Sequence, residues 1–423
     1  MKLFRARILF GMMSASLAFT ACSDTESDEP PVGGDECVED DPREECQEEV
    51  PVDDSRCGNG IVEFFEECDD GNEDPLDGCH ECRFWEPASG EPLELADPGD
   101  WSWHDIAGAI CRDGSDAGLS VNVGADPNKV LFFFEGGGAC FDVFNCMANP
   151  SNISSNRRSP GPHGIFDRNN DRNPYKEWTY VYLPYCSGDV FAGNSTEVVL
   201  NGLNLPQQYV GDNNMSLFLD RLVPSLPDAV EHVSVLGVSA GGISAVVNTK
   251  RLAREFPDAR VTLLDDGGPP LTSNVVTNCL QSWWNELWNL ETTVLADCGS
   301  ACKTSDDLLF PVAKDIATYN ERVNFGLFSY KEDKVVRLLF TFGLDNCAMM
   351  PFPLMTAQMH ADGLDEFREL MSAASPRFAT YYAPGDAHTC IHGGCFYDTE
   401  VDGVGLPEWT AKLLNFEHTH VGE

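Results

Sequence analysis

The residues with the clearest chemical potential surround Ser239, in the stretch VSVLGVSAGGIS that begins at Val233. The segment GVSAG at 237–241 fits the pattern G-x-S-x-G, in which the serine can be the nucleophile of a hydrolase. The alternative is an ordinary serine in a glycine-rich turn, because small residues also gather in turns for steric reasons. A serine hydroxyl is a weak nucleophile, so a catalytic role requires a base, an orienting carboxylate and oxyanion-binding amides elsewhere.

The sequence around Ser239 favours the catalytic interpretation. An apolar run from Val233 to Leu236 leads into the serine, and a helical pattern follows it. Small residues permit the tight turn that pushes the hydroxyl outward and directs the Ala240 amide toward an oxyanion. No G-K-[ST] follows the glycines, which argues against a phosphate-binding loop.

A second glycine segment can supply further amides for the oxyanion. FEGGGAC, residues 134–140, ends a predicted buried strand well before the serine. Gly137 and Gly138 can present their N–H groups without an obstructing side chain, as the HGGG-type loops of serine esterases do. A simple glycine turn is the alternative. We predict Gly137, Gly138 and Ala240 as the oxyanion donors.

The predicted general base is His388. It lies in YYAPGDAHTC, directly after a predicted strand and a glycine turn. A loop at the end of a strand is a suitable position for a catalytic histidine that follows the serine in the chain. His392 is the nearest alternative, whereas His418 and His420 are expected to face solvent in the C-terminal tail.

Two positions compete for the acid. Asp345 follows the apolar run LLFTFGL, which is predicted as a strand, and it lies between Ser239 and His388 in the chain order Ser…Asp…His. Asp266, next to Asp265 at the end of RVTLLDD, is interpreted as a structural or pocket-lining carboxylate. We therefore predict Asp345 as the acid and keep Asp266 as the alternative, ahead of Asp386 and Asp398.

Strands that alternate with helices must position these residues. The apolar runs predict strands at 129–138, 178–186, 232–239, 260–268, 334–345 and 377–386 and helices at 214–226 and 243–256. This alternation predicts an α/β fold, with a mostly parallel sheet flanked by helices. The segment 271–330 is rich in tryptophan and is interpreted as a helical insertion that caps a substrate pocket. Its tryptophans Trp283, Trp284 and Trp288 are expected to pack in the core unless they line the pocket.

Residues 101–421 resemble the pectin acetylesterase / Notum family of serine carboxylesterases. The matching stretches are FEGGGAC, NPYKEWTYVYLPYCSGDVFAG, GVSAGG, DDGG and GDAHTC, which occur in this order. The resemblance implies an α/β-hydrolase fold and a metal-independent esterase without a cofactor. The resemblance implies that Ser239, Asp345 and His388 form the catalytic triad. One departure is Ala139, where the plant pattern has tryptophan before the cysteine, and this change bears on the shape of the pocket.

The N-terminal region indicates export. Residues 1–21 combine basic residues with a short apolar run and are interpreted as a lipoprotein signal peptide that ends before Cys22, the predicted lipidation site. Plain secretion is the alternative. Residues 22–56 are dense in acidic residues and proline, which predicts an extended, disordered tether. The α/β domain is expected over residues 96–423. The expected location is the outer membrane or cell surface of a bacterium, or the medium, with a lipid surface as the partner of Cys22.

The cysteine content fits an oxidising compartment. The chain has 17 cysteines, which leaves an even number once Cys22 is set aside. Residues 57–82 resemble a myxobacterial cysteine-rich repeat, a small module that two disulfides would stabilise. Five disulfides are expected among the ten cysteines from Cys111 to Cys395, with Cys140–Cys146 and Cys390–Cys395 as short-range pairs.

The expected function is the removal of acyl groups, acetyl in the first instance, from an extracellular ester such as acetylated pectin or another polysaccharide. A lipid or protein deacylase that uses the same triad is one alternative. A non-catalytic surface binding protein is another. The formal net charge of −42 excludes nucleic acid as a partner, because its phosphates would be repelled.

Overall fold

The computed structural model describes residues 68–69, 71, 79–80, 83–84, 86–298, 302, 307–347 and 354–422. The predicted signal peptide, Cys22, the acidic tether and most of the cysteine-rich repeat lie outside the described residues. Cys68 and Cys79 of that repeat form a disulfide. Within the described ranges, no helix combines the length and the apolar composition needed to cross a bilayer.

An eight-stranded sheet forms the centre of the fold. In chain order its strands are β1 (Trp101–Ile110), β2 (Asp116–Asn122), β3 (Asp126–Phe134), β4 (Trp178–Leu183), β5 (His232–Val238), β6 (Arg260–Asp266), β7 (Val323–Tyr330) and β8 (Phe378–Ala383). Their spatial order is β1-β2-β4-β3-β5-β6-β7-β8. The pairs β1–β2 and β2–β4 are antiparallel, and all the others are parallel. Short strand pairs lie outside this sheet at Cys79–His80 with Arg83–Phe84, Ser195–Val198 with Gln207–Tyr209, and Glu400–Val401 with Val404–Gly405.

Helices cover both faces of the sheet, as the alternating pattern predicts. They are α1 (Val143–Ala148), α2 (Gly211–Leu222), α3 (Ala240–Glu255), α4 (Asn278–Trp288), α5 (Val294–Cys298), α6 (Leu309–Thr318), α7 (Lys334–Thr341), α8 (Ala357–Ala374) and α9 (Leu406–Leu414). Strand residues alternate between two cores, so Val233 and Val235 of β5 belong to one core and Leu236 and Val238 to the other. Helices α2, α3, α4, α6 and α8 pack in the first core, and α9 packs in the second.

The prediction of a strand at 334–345 is wrong. This segment forms helix α7, and the strand that precedes β8 is β7, at Val323–Tyr330. β7 lies at the end of the segment interpreted as a helical insertion, whose described part includes the helices α4, α5 and α6. The run KVVRLLFT buries Val336 and Phe340, four positions apart, which is the spacing of a helical face. Short apolar runs of this length are ambiguous between helix and strand.

Disulfides link loops and helices of the domain. The five pairs in the domain are Cys111–Cys186, Cys140–Cys146, Cys279–Cys347, Cys298–Cys302 and Cys390–Cys395. The two predicted short-range pairs are therefore confirmed. Cys140–Cys146 closes the segment that follows the triple glycine, and Cys390–Cys395 closes the loop that follows His388.

Candidate active site

Ser239 lies in a sharp turn between β5 and α3. Its backbone has φ 58° and ψ −126°, which is a strained conformation for a residue with a side chain. The two flanking glycines are required for steric reasons. A Cβ at Gly237 would lie 1.8 Å from the carbonyl oxygen of Gly241, and a Cβ at Gly241 would lie 2.1 Å from that of Phe134. The turn is further held by a 2.7 Å hydrogen bond from the Ser239 amide to the carbonyl of Asp266.

His388 lies between Ser239 and a buried carboxylate. Its Nε2 is 2.7 Å from Ser239 Oγ, and its Nδ1 is 2.7 Å from Oδ2 of Asp333. The Asp333 side chain is fully buried, whereas His388 retains 18% of its side-chain exposure. A nucleophile, a base in contact with it and a carboxylate behind the base form the arrangement of a Ser-His-Asp triad.

The prediction that Asp345 lies beside His388 is wrong. Asp345 is exposed, in the Leu344–Cys347 turn beyond helix α7, and Asp333 occupies the position next to His388. The error follows from the misassigned strand, because the strand before β8 ends at Tyr330 and places Asp333 at the edge where Ser239 lies. An aspartate directly before an apolar helical run is an N-terminal helix signal that could have identified Asp333.

Asp333 also caps helix α7. Its Oδ1 accepts hydrogen bonds from the amides of Val335 and Val336, at 2.9 and 3.0 Å. Its Oδ2 is thereby left for His388. The helix cap therefore orients the carboxylate that holds the imidazole.

The alternative acid, Asp266, has the structural role that the sequence indicated. Its Oδ2 accepts hydrogen bonds from the amides of Cys390 and Ile391, at 2.8 and 2.7 Å, so it holds the loop that carries His388. Asp265, beside it, accepts a 2.8 Å hydrogen bond from the Gly268 amide. Burial raises the pKa of Asp266 to about 7, with a smaller contribution from the nearby Asp333 carboxylate, although the two amides oppose this shift.

The buried carboxyl groups of Asp189 and Asp266 stabilise the folded state more in mild acid than in mild base. Burial raises the pKa of Asp266 to about 7 and that of Asp189 to about 6, and the folded state therefore binds these protons more tightly than the unfolded chain. Their stabilising contribution is present below about pH 4 and is lost as the pH rises to about 7. Burial lowers the pKa of His232 and His392, which has the opposite effect on stability, so the contribution of Asp266 is measured against a variant without its carboxyl group. We expect the unfolding midpoint at pH 5 minus that at pH 8 to be larger in the wild type than in this variant.

The variant Asp266→Asn provides the control for this pH dependence. Asparagine keeps an acceptor oxygen for the amides of Cys390 and Ile391 but does not titrate, so the difference between the two midpoints should shrink. A pH dependence of the midpoint that Asp266→Asn leaves unchanged would contradict the assignment.

The predicted oxyanion amides lie beside Ser239. Gly137, Gly138 and Ala240 all line the cavity at its hydroxyl, together with Ala139. Within the described part of the chain, no group accepts a hydrogen bond from the amides of these four residues. Ala240 is the first residue of α3, so its N–H also lies at the positive end of the helix.

An apolar cavity of about 340 Å³ opens at Ser239 on the side of Ala240. Its exposed lining side chains include Phe144 of α1 and Leu338 of α7, which are 63% and 54% exposed. Its apolar walls include Ala139, Ile243, Val336, Leu339, Phe340 and Phe342. Behind Ala139 and Ile243 lies a further apolar cavity of about 20 Å³, which the buried Trp284 and Trp288 line.

A second, more polar cleft of about 650 Å³ meets Ser239 on the side of the His388 loop. It contains the Arg157–Glu135 ion pair and the side chains of Asn156, Ser159, His163 and His392. His392, the alternative base, therefore lines this cleft, while His388 makes the hydrogen bond to Ser239.

The remaining candidates do not join the triad. His420 bonds Thr380 and Ser372 through its ring nitrogens, and Asp386 pairs with Lys334 at the surface. In the described ranges, no group of three or more histidine, cysteine, aspartate or glutamate residues could hold a metal ion.

The strand order, the turn at Ser239 and the two neighbouring loops define an α/β hydrolase. The Pectinacetylesterase family model matches residues 103–314, which is half of the chain, and the protein belongs to this family. A domain of unknown function, DUF4215, matches residues 43–83 and overlaps the predicted cysteine-rich repeat.

Several characterised proteins are similar to part of this chain. The palmitoleoyl-protein carboxylesterase NOTUM of Schmidtea mediterranea is 32% identical over 162 residues, which are 34% of this chain and 29% of that protein. Human NOTUM is 28% identical over 172 residues, covering 37% of this chain and 34% of that protein. Pectin acetylesterase 4 of Arabidopsis thaliana is 28% identical over 169 residues, which are 38% of this chain and 41% of that protein. The matched region thus spans roughly a third of the length of these relatives.

A solved structure supports the fold over a longer range. The Wnt deacylase Notum from Drosophila superposes with a TM-score of 0.56 and 18% identity, and the match covers 76% of this chain and 95% of that one. The predicted α/β-hydrolase fold is therefore confirmed.

Proposed function

We propose that this protein is a serine carboxylesterase that acts through Ser239, His388 and Asp333. The observation that carries the proposal is the continuous contact from Ser239 Oγ through both ring nitrogens of His388 to the buried Asp333 carboxylate. Membership of the Pectinacetylesterase family supports the same activity. A surface binding protein would not need these three groups in contact, so the geometry favours the enzyme.

In the proposed mechanism, His388 Nε2 takes the hydroxyl proton of Ser239 while Oγ attacks the ester carbonyl. Asp333 holds the imidazole with Nδ1 protonated and stabilises the imidazolium that forms. The oxyanion receives hydrogen bonds from the glycine loop and the Ala240 amide. His388 then protonates the leaving alcohol, and water activated by the same histidine hydrolyses the acyl-enzyme to release the carboxylic acid and restore Ser239.

The apolar cavity favours an acyl chain longer than acetyl. It lies on the side of Ala240 and the glycine loop, where the acyl carbonyl would bind, and its walls are aliphatic or aromatic. A volume of about 340 Å³ exceeds what a two-carbon acyl group occupies. We therefore infer a fatty acyl ester as the preferred substrate, in contrast to the acetyl ester expected from the sequence.

The polar cleft is the proposed site of the leaving alcohol. It adjoins Thr389 and His392, on the side from which His388 would protonate the alcohol oxygen. Its hydrogen-bonding side chains suit a sugar or another polar alcohol, and this observation keeps acylated polysaccharide as a second candidate substrate.

Hydrolysis of p-nitrophenyl esters from acetate to palmitate by the full chain tests both parts of the proposal. We expect kcat/KM for octanoate to exceed that for acetate by about tenfold or more, because each buried methylene contributes about 0.8 kcal/mol. A preference for acetate would instead favour acetylesterase activity. No turnover by the folded, oxidised chain would favour the binding-protein alternative.

Ala139→Trp is expected to weaken the preference for long acyl chains. Ala139 lies between the acyl cavity and the smaller cavity behind it, so an indole there fills the space that a long chain would use. We expect the ratio of kcat/KM for octanoate to that for acetate to fall by about tenfold or more, because loss of pocket contacts costs 1 to 3 kcal/mol or about 10- to 200-fold per group. Retention of the acetate rate is the internal control. Equal losses for both esters would show that Ala139 does not limit chain length.

Export and lipidation at Cys22 remain part of the proposal. The disulfides of the domain are consistent with an oxidising compartment. Incorporation of labelled fatty acid by the wild-type chain but not by Cys22→Ala would support the anchor. Release of both forms into the medium would favour plain secretion.

A further inference from the structure

The glycine loop beside Ser239 is held from one side by a single side chain. Nδ2 of Asn149 donates hydrogen bonds to the carbonyl oxygens of Gly137 and Gly138, at 2.8 and 3.0 Å. Asn149 is 5% exposed, and it follows helix α1 directly. One buried amide therefore fixes two consecutive peptide units of the loop.

The orientation of these carbonyls determines where the following amides point. In a trans peptide, the C=O and the next N–H lie in the peptide plane and point in opposite directions across the C–N bond. When the carbonyls of Gly137 and Gly138 converge on Asn149, the N–H groups of Gly138 and Ala139 point away from it. Gly138 has φ 77°, and successive amides around such a residue form an anion-binding concavity.

We propose that Asn149 is a positioning residue that orients the oxyanion-binding amides of Gly138 and Ala139. The inference rests on the proposed esterase function. It adds the Ala139 amide to the predicted donors and assigns a role to a side chain that no motif singled out. Asn149 contacts no reacting atom and acts through the loop.

A buried cation anchors Asn149 in turn. Arg112 is 4% exposed, and its guanidinium donates hydrogen bonds to the carbonyls of Cys146 and Asn149, at 2.9 and 2.8 Å. The Cys140–Cys146 disulfide closes the same segment between the glycine loop and α1. The backbone of Asn149 is therefore fixed independently of its side chain, so a side-chain substitution can change the loop without displacing α1.

The test compares Asn149→Ala and Asn149→Asp with the wild-type full chain. Aspartate keeps the size of the side chain but has no donor for the two carbonyls. We expect kcat on a p-nitrophenyl ester to fall about 10- to 1,000-fold in both variants, as the loss of an oxyanion donor does, with KM changed by less than about threefold. The inhibition constant of a trifluoromethyl ketone with the same acyl chain, which binds as a hemiketal oxyanion, should rise in parallel with the loss of kcat.

Asn324→Ala is the matched control. Asn324 is fully buried at the start of β7, and its Nδ2 donates a 2.7 Å hydrogen bond to the carbonyl of Leu413, away from the site. The Asn324→Ala substitution should lower the unfolding midpoint about as much as Asn149→Ala does, but it should leave kcat and the ketone inhibition constant unchanged.

Two results would overturn the role of Asn149. One is a kcat and a ketone inhibition constant within twofold of the wild type in both variants. The other is a loss of activity that only matches the fraction unfolded. If the wild-type chain has no Ser239-dependent turnover, the proposed function itself fails, together with the role of Asn149. Turnover that survives both Asn149 substitutions removes only the positioning role.

Discussion

Ser239→Ala is expected to reduce kcat on a p-nitrophenyl ester by roughly 10⁴- to 10⁶-fold, because no other group can form the acyl-enzyme. The side chain makes one hydrogen bond, to His388, and alanine fits the same turn, so the unfolding midpoint should stay close to that of the wild type. Initial rates and thermal denaturation of the same preparation would check both expectations.

A burst of p-nitrophenol equal to the enzyme concentration, seen in the wild type and lost in Ser239→Ala, would identify the acyl-enzyme. The substitution leaves the cavity walls intact, so binding of a fatty acid to the variant should persist. A Ser239→Ala variant that kept most of its esterase rate would overturn the assignment of the nucleophile.

Asp333→Asn is expected to lower kcat by about 10⁴-fold, as the loss of the triad carboxylate does in serine proteases. An amide cannot stabilise the imidazolium, and its NH₂ would favour the wrong tautomer of His388. Asparagine is as good an N-cap as aspartate, so Oδ1 can still accept the hydrogen bonds from the Val335 and Val336 amides. The substitution thus separates the catalytic role of Asp333 from its role as a helix cap.

Asp345→Asn is the matched comparison for this substitution. Asp345 is exposed and follows the same helix at its other end, so its replacement should change kcat by less than about twofold. Rates of the two variants on one ester, together with their unfolding midpoints, provide the measurement. A large loss in Asp345→Asn with a small one in Asp333→Asn would show that the loop rearranges on substrate binding and would contradict the geometry described here.

The site depends on the common edge at which the parallel strands end. Ser239 follows β5, Asp333 follows β7 and His388 follows β8, and Asp266, at the end of β6, links the Ser239 turn to the His388 loop. The carboxyl ends of parallel strands lie at one edge, so residues separated by up to 149 positions come within hydrogen-bond distance. The apolar and polar cavities that flank Ser239 are the proposed acyl and alcohol sides.

The sequence alone indicated the fold class and predicted the nucleophile, the base and the glycine loop that the structure brings together, because each has a local signal. Steric demands confine the glycines around Ser239 to a few neighbouring positions, and the alternation of strands and helices is visible as changes in apolar period. Asp333 has only a helix N-cap signal, which does not indicate its contact with His388, and Asn149 has no local signal, since both roles depend on partners distant in the chain. The ambiguity of one apolar run between helix and strand moved the predicted acid from Asp333 to Asp345.

The tertiary structure also decided the size of the acyl cavity. Its walls come from α1, α3, α7 and the glycine loop, whose separations are set by how the helices pack on the sheet. The identity of Ala139 indicated that the pocket would differ from that of the plant relatives, but its volume depends on all the walls together. Local sequence thus indicated the candidate nucleophile and base, and long-range packing determined which carboxylate lies next to His388 and how large the apolar cavity beside Ser239 is.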